Sequence, residues 1–313
     1  MQCRAWLFAL LLSASWAPLQ AQDADSLLLN ELDSMLQSSD SLSILNLIDS
    51  LLNSDDETDS QVAVRLAYNS NVLSTGRTLG IDQFGLSPGI SYFHKTGLYA
   101  DASIFYSDDF NPNVYLTVLS VGYMHSFGKR VSVIANYDRY LYNLGDAYFV
   151  PYTNSVNVSV YLEQKPITFR ADYIFFFGAK NAHRIAPGIN LNLEKRNIWG
   201  LHRIAFSPTF AALFGNETFE EITITSPTTL AELIQNYRDY GTWYRLDITQ
   251  KDVFGVMNYA ISCPVSISKG NWNFTASYTY NIPKALEGET LTLSETGFIA
   301  ASLSYYIPLR KAK

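Results

Sequence analysis

The sequence predicts an all-β chain, an antiparallel up-and-down transmembrane β-barrel of about 12 strands behind a short helical N-terminal periplasmic segment. Three observations predict it. Apolar and polar residues alternate with period 2 over runs of ten or so residues, whereas strands of soluble sheets average about 5–6. The connections between these runs are alternately short and long. Finally, charged residues make up only 16% of the 313 and aromatics 14%, yet the mean hydropathy is zero; ordinary soluble chains are roughly 25% charged. No apolar stretch long enough for a spanning helix follows the N-terminus, which excludes a helical bundle in the membrane.

The N-terminus reads as a secretory signal over residues 1–21, with Arg4 as its positive end, a short apolar core and cleavage expected after Ala21. Residues 22–60 form a separate segment. Ten acids and no Lys or Arg lie between 23 and 60. Asn30-Glu31-Leu32-Asp33-Ser34-Met35-Leu36 recurs 16 residues later as Asn46-Leu47-Ile48-Asp49-Ser50-Leu51-Leu52, and Leu28, Leu32, Met35 and Leu36 fall at helical spacing. Two short amphipathic helices and a solvated linker are expected. They act either as a periplasmic docking element or plug, or as a plain tether, since helices this short are weak alone.

From residue 61 to 313 the period is 2. Trp272, Phe274, Ala276, Tyr278, Tyr280 and Ile282 share one face, opposite Asn273, Thr275, Ser277, Thr279 and Asn281. Ile167, Phe169, Ala171 and Tyr173 oppose Thr168, Arg170 and Asp172, and Val156, Val158, Val160 and Leu162 oppose Asn157, Ser159 and Glu163. Each run matches the ~9–11 residues of a tilted spanning strand. Hydrocarbon offers no partner to a free backbone N–H or C=O, so a spanning sheet must close on itself. Closure permits an apolar exterior around a polar lumen, which averages to zero hydropathy. Short turns are expected at 94–97, 127–130, 163–166, 194–197 and 268–271. Long loops are expected at 70–84, 107–113, 143–153, 178–184, 215–241 and 284–294. Five turns and six loops join twelve strands and leave both chain ends on the short-turn side. Each short turn carries a Lys, while the long loops are mostly acidic. Tyr115, Tyr123, Tyr142, Tyr173, Tyr305 and Tyr306 are candidates for the aromatic girdles at the headgroups.

On these features residues 61–313 resemble the outer-membrane β-barrel proteins of Gram-negative bacteria. Residues 297–307 are similar to the terminal strand that the barrel-insertion machinery reads, although the chain ends Pro308-Leu309-Arg310-Lys311-Ala312-Lys313 and not in an aromatic. The resemblance implies an outer-membrane location, short turns and the N-terminal segment in the periplasm, and long loops outside. It implies lipid and the insertion machinery as partners. Residues 23–60 add a candidate contact for a periplasmic partner.

No catalytic constellation is legible. None of His94, His125, His183 and His202 has a Ser two positions away, as a strand-borne His–Ser pair requires. Asp109-x-Asn111-x-Asn113 opens like a calcium loop, but Ser120 stands where its Glu belongs. No zinc spacing exists, so neither metal nor other cofactor is expected, and the net charge of −7 with no basic run argues against nucleic acid. The ionisable residues on polar strand faces are Arg65, Asp101, Asp138, Glu163, Arg170, Asp172, Glu194 and Arg203. As lumen-lining groups they form either a charge-selecting constriction or an ion-pair network that fills the lumen. In the longest loop Thr229-Leu230-Ala231-Glu232 is a capping box. Leu230, Leu233, Ile234 and Tyr237 form one face of the ensuing helix, either a lid over the mouth or a face packed on the rim. The leading expectation is a non-enzymatic, passive or weakly selective channel for small solutes. The alternatives are a filled structural barrel that binds partners through its helices or loops, and a lipid-modifying enzyme.

Overall fold

A computed structural model describes residues 60–70, 85–108, 110–128, 130–143, 152–289 and 293–309. The signal and the two N-terminal helices expected from sequence lie outside them. The described residues form β1 (Gln61–Asn69), β2 (Gly85–Phe93), β3 (Leu98–Tyr106), β4 (Val114–Phe127), β5 (Val131–Tyr142), β6 (Tyr152–Gln164), β7 (Ile167–Gly178), β8 (Ala182–Leu191), β9 (Leu193–Ile198), β10 (Leu201–Phe206), β11 (Thr209–Thr225), β12 (Arg245–Lys269), β13 (Trp272–Pro283) and β14 (Thr296–Pro308). One helix, α1 (Leu230–Tyr240), lies between β11 and β12.

All pairings are antiparallel, and β1 pairs β14, so the sheet is a closed barrel. The fourteen segments make twelve staves. β8 and β9 are one strand interrupted at Asn192, and β10 and β11 are one strand interrupted at Ser207 and Pro208. The register is unbroken across both gaps, running from Ile198 opposite Leu201 to Arg184 opposite Gly215.

The alternation is that of a soluble sheet turned inside out. On β13, Asn273, Thr275, Ser277, Thr279 and Asn281 are buried at 0–8% exposure, while Trp272, Phe274 and Tyr278 are 43–50% exposed. On β1, Ala63, Arg65, Ala67 and Asn69 point inward, and Val64, Leu66 and Tyr68 point outward. Burying hydroxyls and amides while exposing Leu, Val and Ile is unfavourable in water. It is what a bilayer demands. Cys263 is also on the exposed face.

Four short turns stand where expected; the fifth does not. The expected turn at 194–197 is strand, and the chain reverses at Trp199-Gly200. There Asn197 (φ 54°), Trp199 (φ 53°) and Gly200 (φ 74°) adopt left-handed conformations. β7 begins opposite Leu191, so the β9–β10 hairpin runs on past the barrel wall, and Trp199 at its tip is 88% exposed. The expected long loop at 178–184 shrinks to three residues, because β8 already starts at Ala182. β11 and β12 stay paired from Thr209 opposite Ser262 to Thr225 opposite Arg245. That pairing extends the hairpin well beyond its neighbours on the long-loop side.

Candidate functional site

The lumen is the candidate site. A cavity of about 190 Å³ is lined by residues of β1, β3–β8 and β11–β13. Lining drawn from all round the ring places the cavity inside the barrel. Five of the eight expected lumen-lining residues meet here: Arg65, Asp101, Asp138, Arg170 and Asp172.

They sort into two ion pairs and one carboxylate among neutral donors. Arg65 Nη2 lies 3.3 Å from Asp101 Oδ1 and donates to Ser103 Oγ at 2.7 Å. Ser91 and Ser103 also donate to Asp101. Glycine at 89 makes room for this group: a Cβ there would come within 2.9 Å of Ser103 Oγ and 3.0 Å of Arg65 Nη2. Arg170 Nε is 2.5 Å from Asp172 Oδ2, and its guanidinium carbon lies 5.7 Å from the centroid of the Tyr161 ring. Asp138 accepts from Asn136 (2.7 Å), Ser155 (3.0 Å) and Asn157.

The other three expected residues, Glu163, Glu194 and Arg203, line a second cavity of about 580 Å³ at the short-turn end. Glu194 bridges Arg203 (2.8 Å) and Arg196 (3.2 Å), while Glu163 faces Lys165 at 3.5 Å. Tyr161, Asn190 and Thr209 line both cavities, which therefore adjoin along the barrel axis.

Toward the long-loop end the interior becomes apolar. Tyr115, Leu116, Tyr140, Tyr152 and Phe176 are buried together, with Phe110 stacked on Tyr115 at 4.3 Å. Tyr115 was a girdle candidate, and its inward position is a correction. A bulge sets Phe105 opposite Leu116 and Tyr106 opposite Val114, so Tyr115 is the extra residue and turns inside. Tyr142 and Tyr306 likewise pack against interior clusters. Tyr123 and Tyr173 do face outward, and Tyr305 lies 4.7 Å from the exposed Trp272.

Sequence reasoning missed Arg184. It belonged to an expected loop, but it is 1% exposed, and its guanidinium is 2.7 Å from both Glu217 Oε1 and the carbonyl of Asn216. The polar face of β8, carried two residues beyond Ala186, would have found it.

α1 forms where the capping box puts it. Thr229 Oγ1 accepts from the Glu232 N–H at 3.2 Å, and Gly241 ends the helix in a left-handed conformation. Its apolar face is largely exposed: Leu230, Ile234 and Tyr237 are 73%, 58% and 53% exposed, and Leu233 is half-buried. Tyr237 stacks on Trp243 at 4.5 Å. Hydrogen bonds from the backbone N–H and hydroxyl of Thr228 hold the Glu232 carboxyl below the usual carboxylate range. A depressed carboxylate stabilises the fold above its unfolded pKa, and that contribution vanishes as pH falls through the folded value. Amide exchange over 230–240 should therefore accelerate, relative to the barrel strands, as pH falls from 6 to 3. Equal protection at both pH values would contradict this assignment.

The histidines are occupied by other contacts. His94 Nδ1 is 2.8 Å from Thr96 Oγ1, His183 Nδ1 is 2.8 Å from Tyr173 Oη, His202 Nδ1 accepts from the Gly270 N–H, and His125 packs between Tyr123 and Phe127. Among the described residues no three His, Cys, Asp or Glu gather as a metal set.

No family model and no curated protein matches the chain. Among solved structures, a KdgM porin is similar at 7% identity and a TM-score of 0.42, over 78% of this chain and 98% of that one. A NanC porin is similar at 11% and 0.39 over the same shares. The translocator domain of the autotransporter NalP from Neisseria meningitidis is similar at 11% and 0.39, over 85% and 94%. Values this low carry no weight for what the chain does.

Proposed function

We propose that this chain is a Gram-negative outer-membrane channel that passes small hydrophilic solutes through a narrow, charge-lined lumen. Its short turns face the periplasm and its long loops face outward. One observation carries the reading: two adjoining cavities inside the closed barrel, walled by fixed ion pairs and polar side chains. Paired charges that hold their positions leave room for water between them, and a hydrated path with fixed charges discriminates among solutes by charge and size. The 190 Å³ cavity gathers Arg65, Asp101, Asp138, Arg170 and Asp172 and is where selection by charge occurs.

Planar-bilayer recording tests this. The folded protein should give discrete conductance steps. A barrel that is heat-modifiable on gels, and hence folded, but electrically silent would overturn the reading. Such silence would favour a second reading, an outer-membrane protein that binds partners through its loops. The exposed apolar face of α1 supports that reading.

A further inference from the structure

The end of the barrel at which the N-terminal segment joins is also its basic end. Ser60 is fixed at the short-turn rim, its carbonyl accepting from Leu309 N–H at 2.8 Å and its hydroxyl from Lys95 N–H at 3.2 Å. The 580 Å³ cavity lies at this same end and is lined by Arg130, Lys165, Lys195 and Arg203 against Glu163 and Glu194. Both carboxylates are engaged by neighbouring cations, so the cavity carries excess positive charge. Arg196, Lys95 and Lys269 add to it on the same rim. The chain before Ser60 has the opposite composition, with ten carboxylates and no Lys or Arg between 23 and 59.

We propose that the acidic segment 23–59 docks in this basic cavity of its own barrel. The charges are opposite in sign, and attraction inside a partly enclosed mouth is screened less than on an open surface. The geometry permits it. Twelve strands 4.7–4.9 Å apart and tilted by 35–45° make a ring roughly 24 Å across. The linker 53–59 reaches about 25 Å when extended. It therefore carries the repeat, with Asp33 and Asp49, across the mouth from β1 to the wall formed by β6–β10. Tethering holds the segment at an effective concentration in the millimolar range, so weak individual contacts suffice. The cavity admits only part of the segment, and the duplicated Asn-x-x-Asp-Ser-x-Leu unit offers it two equivalent acidic stretches.

Zero-length carbodiimide crosslinking of the folded, full-length mature protein tests this, because it joins carboxylates to lysines only at contact. An equal mixture of ¹⁴N and ¹⁵N protein separates links within one copy from links between copies. Mass spectrometry should find links from 23–59 to Lys165 and Lys195 within one copy, at least tenfold above links to Lys180, Lys251 and Lys284 at the far end. They should fall several-fold in 1 M NaCl. An Arg130→Glu/Lys165→Glu variant, checked by heat modifiability, should lose the links to Lys195 tenfold. Absence of the links, equal labelling of both ends, links only between copies, or an unchanged yield in the variant would each overturn the proposal. No solute is involved in the readout, so its outcome is separate from that of the channel reading.

Discussion

Leu303→Arg should destabilise the barrel by about 2–4 kcal/mol, the cost of an arginine on the lipid face near the bilayer midplane. Leu303 is 43% exposed and sits mid-strand on β14, with Leu66 and Phe274 directly opposite on β1 and β13. All three project outward from the ring, so a guanidinium there has neither water nor a polar neighbour. Ser262→Lys is the control. Ser262 lines the central cavity, where an added charge meets water and carboxylates, and its cost should stay within about 1 kcal/mol. Urea titration of protein refolded into vesicles, followed by tryptophan fluorescence, gives both values. Equal costs at the two positions would mean that the exposed apolar face does not meet lipid.

Arg65→Met should cost about 3 kcal/mol, the lower end of the range for removing one partner of a buried ion pair. The lower end applies because the adjoining cavity can hydrate the orphaned Asp101 carboxylate, and Ser91 and Ser103 still donate to it. Replacing both partners, Arg65→Met with Asp101→Leu, should recover at least half of the loss, because no unpaired charge then remains. The same unfolding assay reads the cycle. A double variant no more stable than Arg65→Met alone would show that the pair is not coupled.

The barrel was legible in the sequence because a two-faced strand writes its environment into every residue. Trp272 to Ile282 and Asn273 to Asn281 needed only their parity to be assigned outward or inward. Parity fails where the backbone adds a residue. Tyr115 was misplaced because the bulge opposite Phe105 and Tyr106 is a matter of cross-strand register, which a single strand does not record. The turn expected at 194–197 failed for a different reason. Lys195, Arg196 and Asn197 suit a turn at the membrane surface, yet beyond the bilayer a strand can carry the same charges. There the left-handed backbone at Trp199-Gly200 sets the reversal. Of the lumen groups, Arg65 and Asp101 were identifiable as inward-facing but not as a pair, since they stand two strands apart around the ring, whereas Arg170 and Asp172 are adjacent on one face of β7. Arg184 was hidden by its nearness to a loop.

The pairing of β1 with β14 has a consequence for how the ring is assembled. All other pairings join neighbours in sequence, so the wall can grow by successive hairpins with little loss of chain entropy at each addition. Only the seam unites residues some 240 positions apart, Gln61 with Pro308, at a closure cost of roughly 5 kcal/mol on logarithmic scaling. That cost falls in one late step, after the inward carboxylates and guanidiniums of β3–β8 have found their places. Arg65 and Asp101, on β1 and β3, lie on one side of that seam, so their bond, which reaches over β2 inside the lumen, steadies the edge strand before β14 arrives.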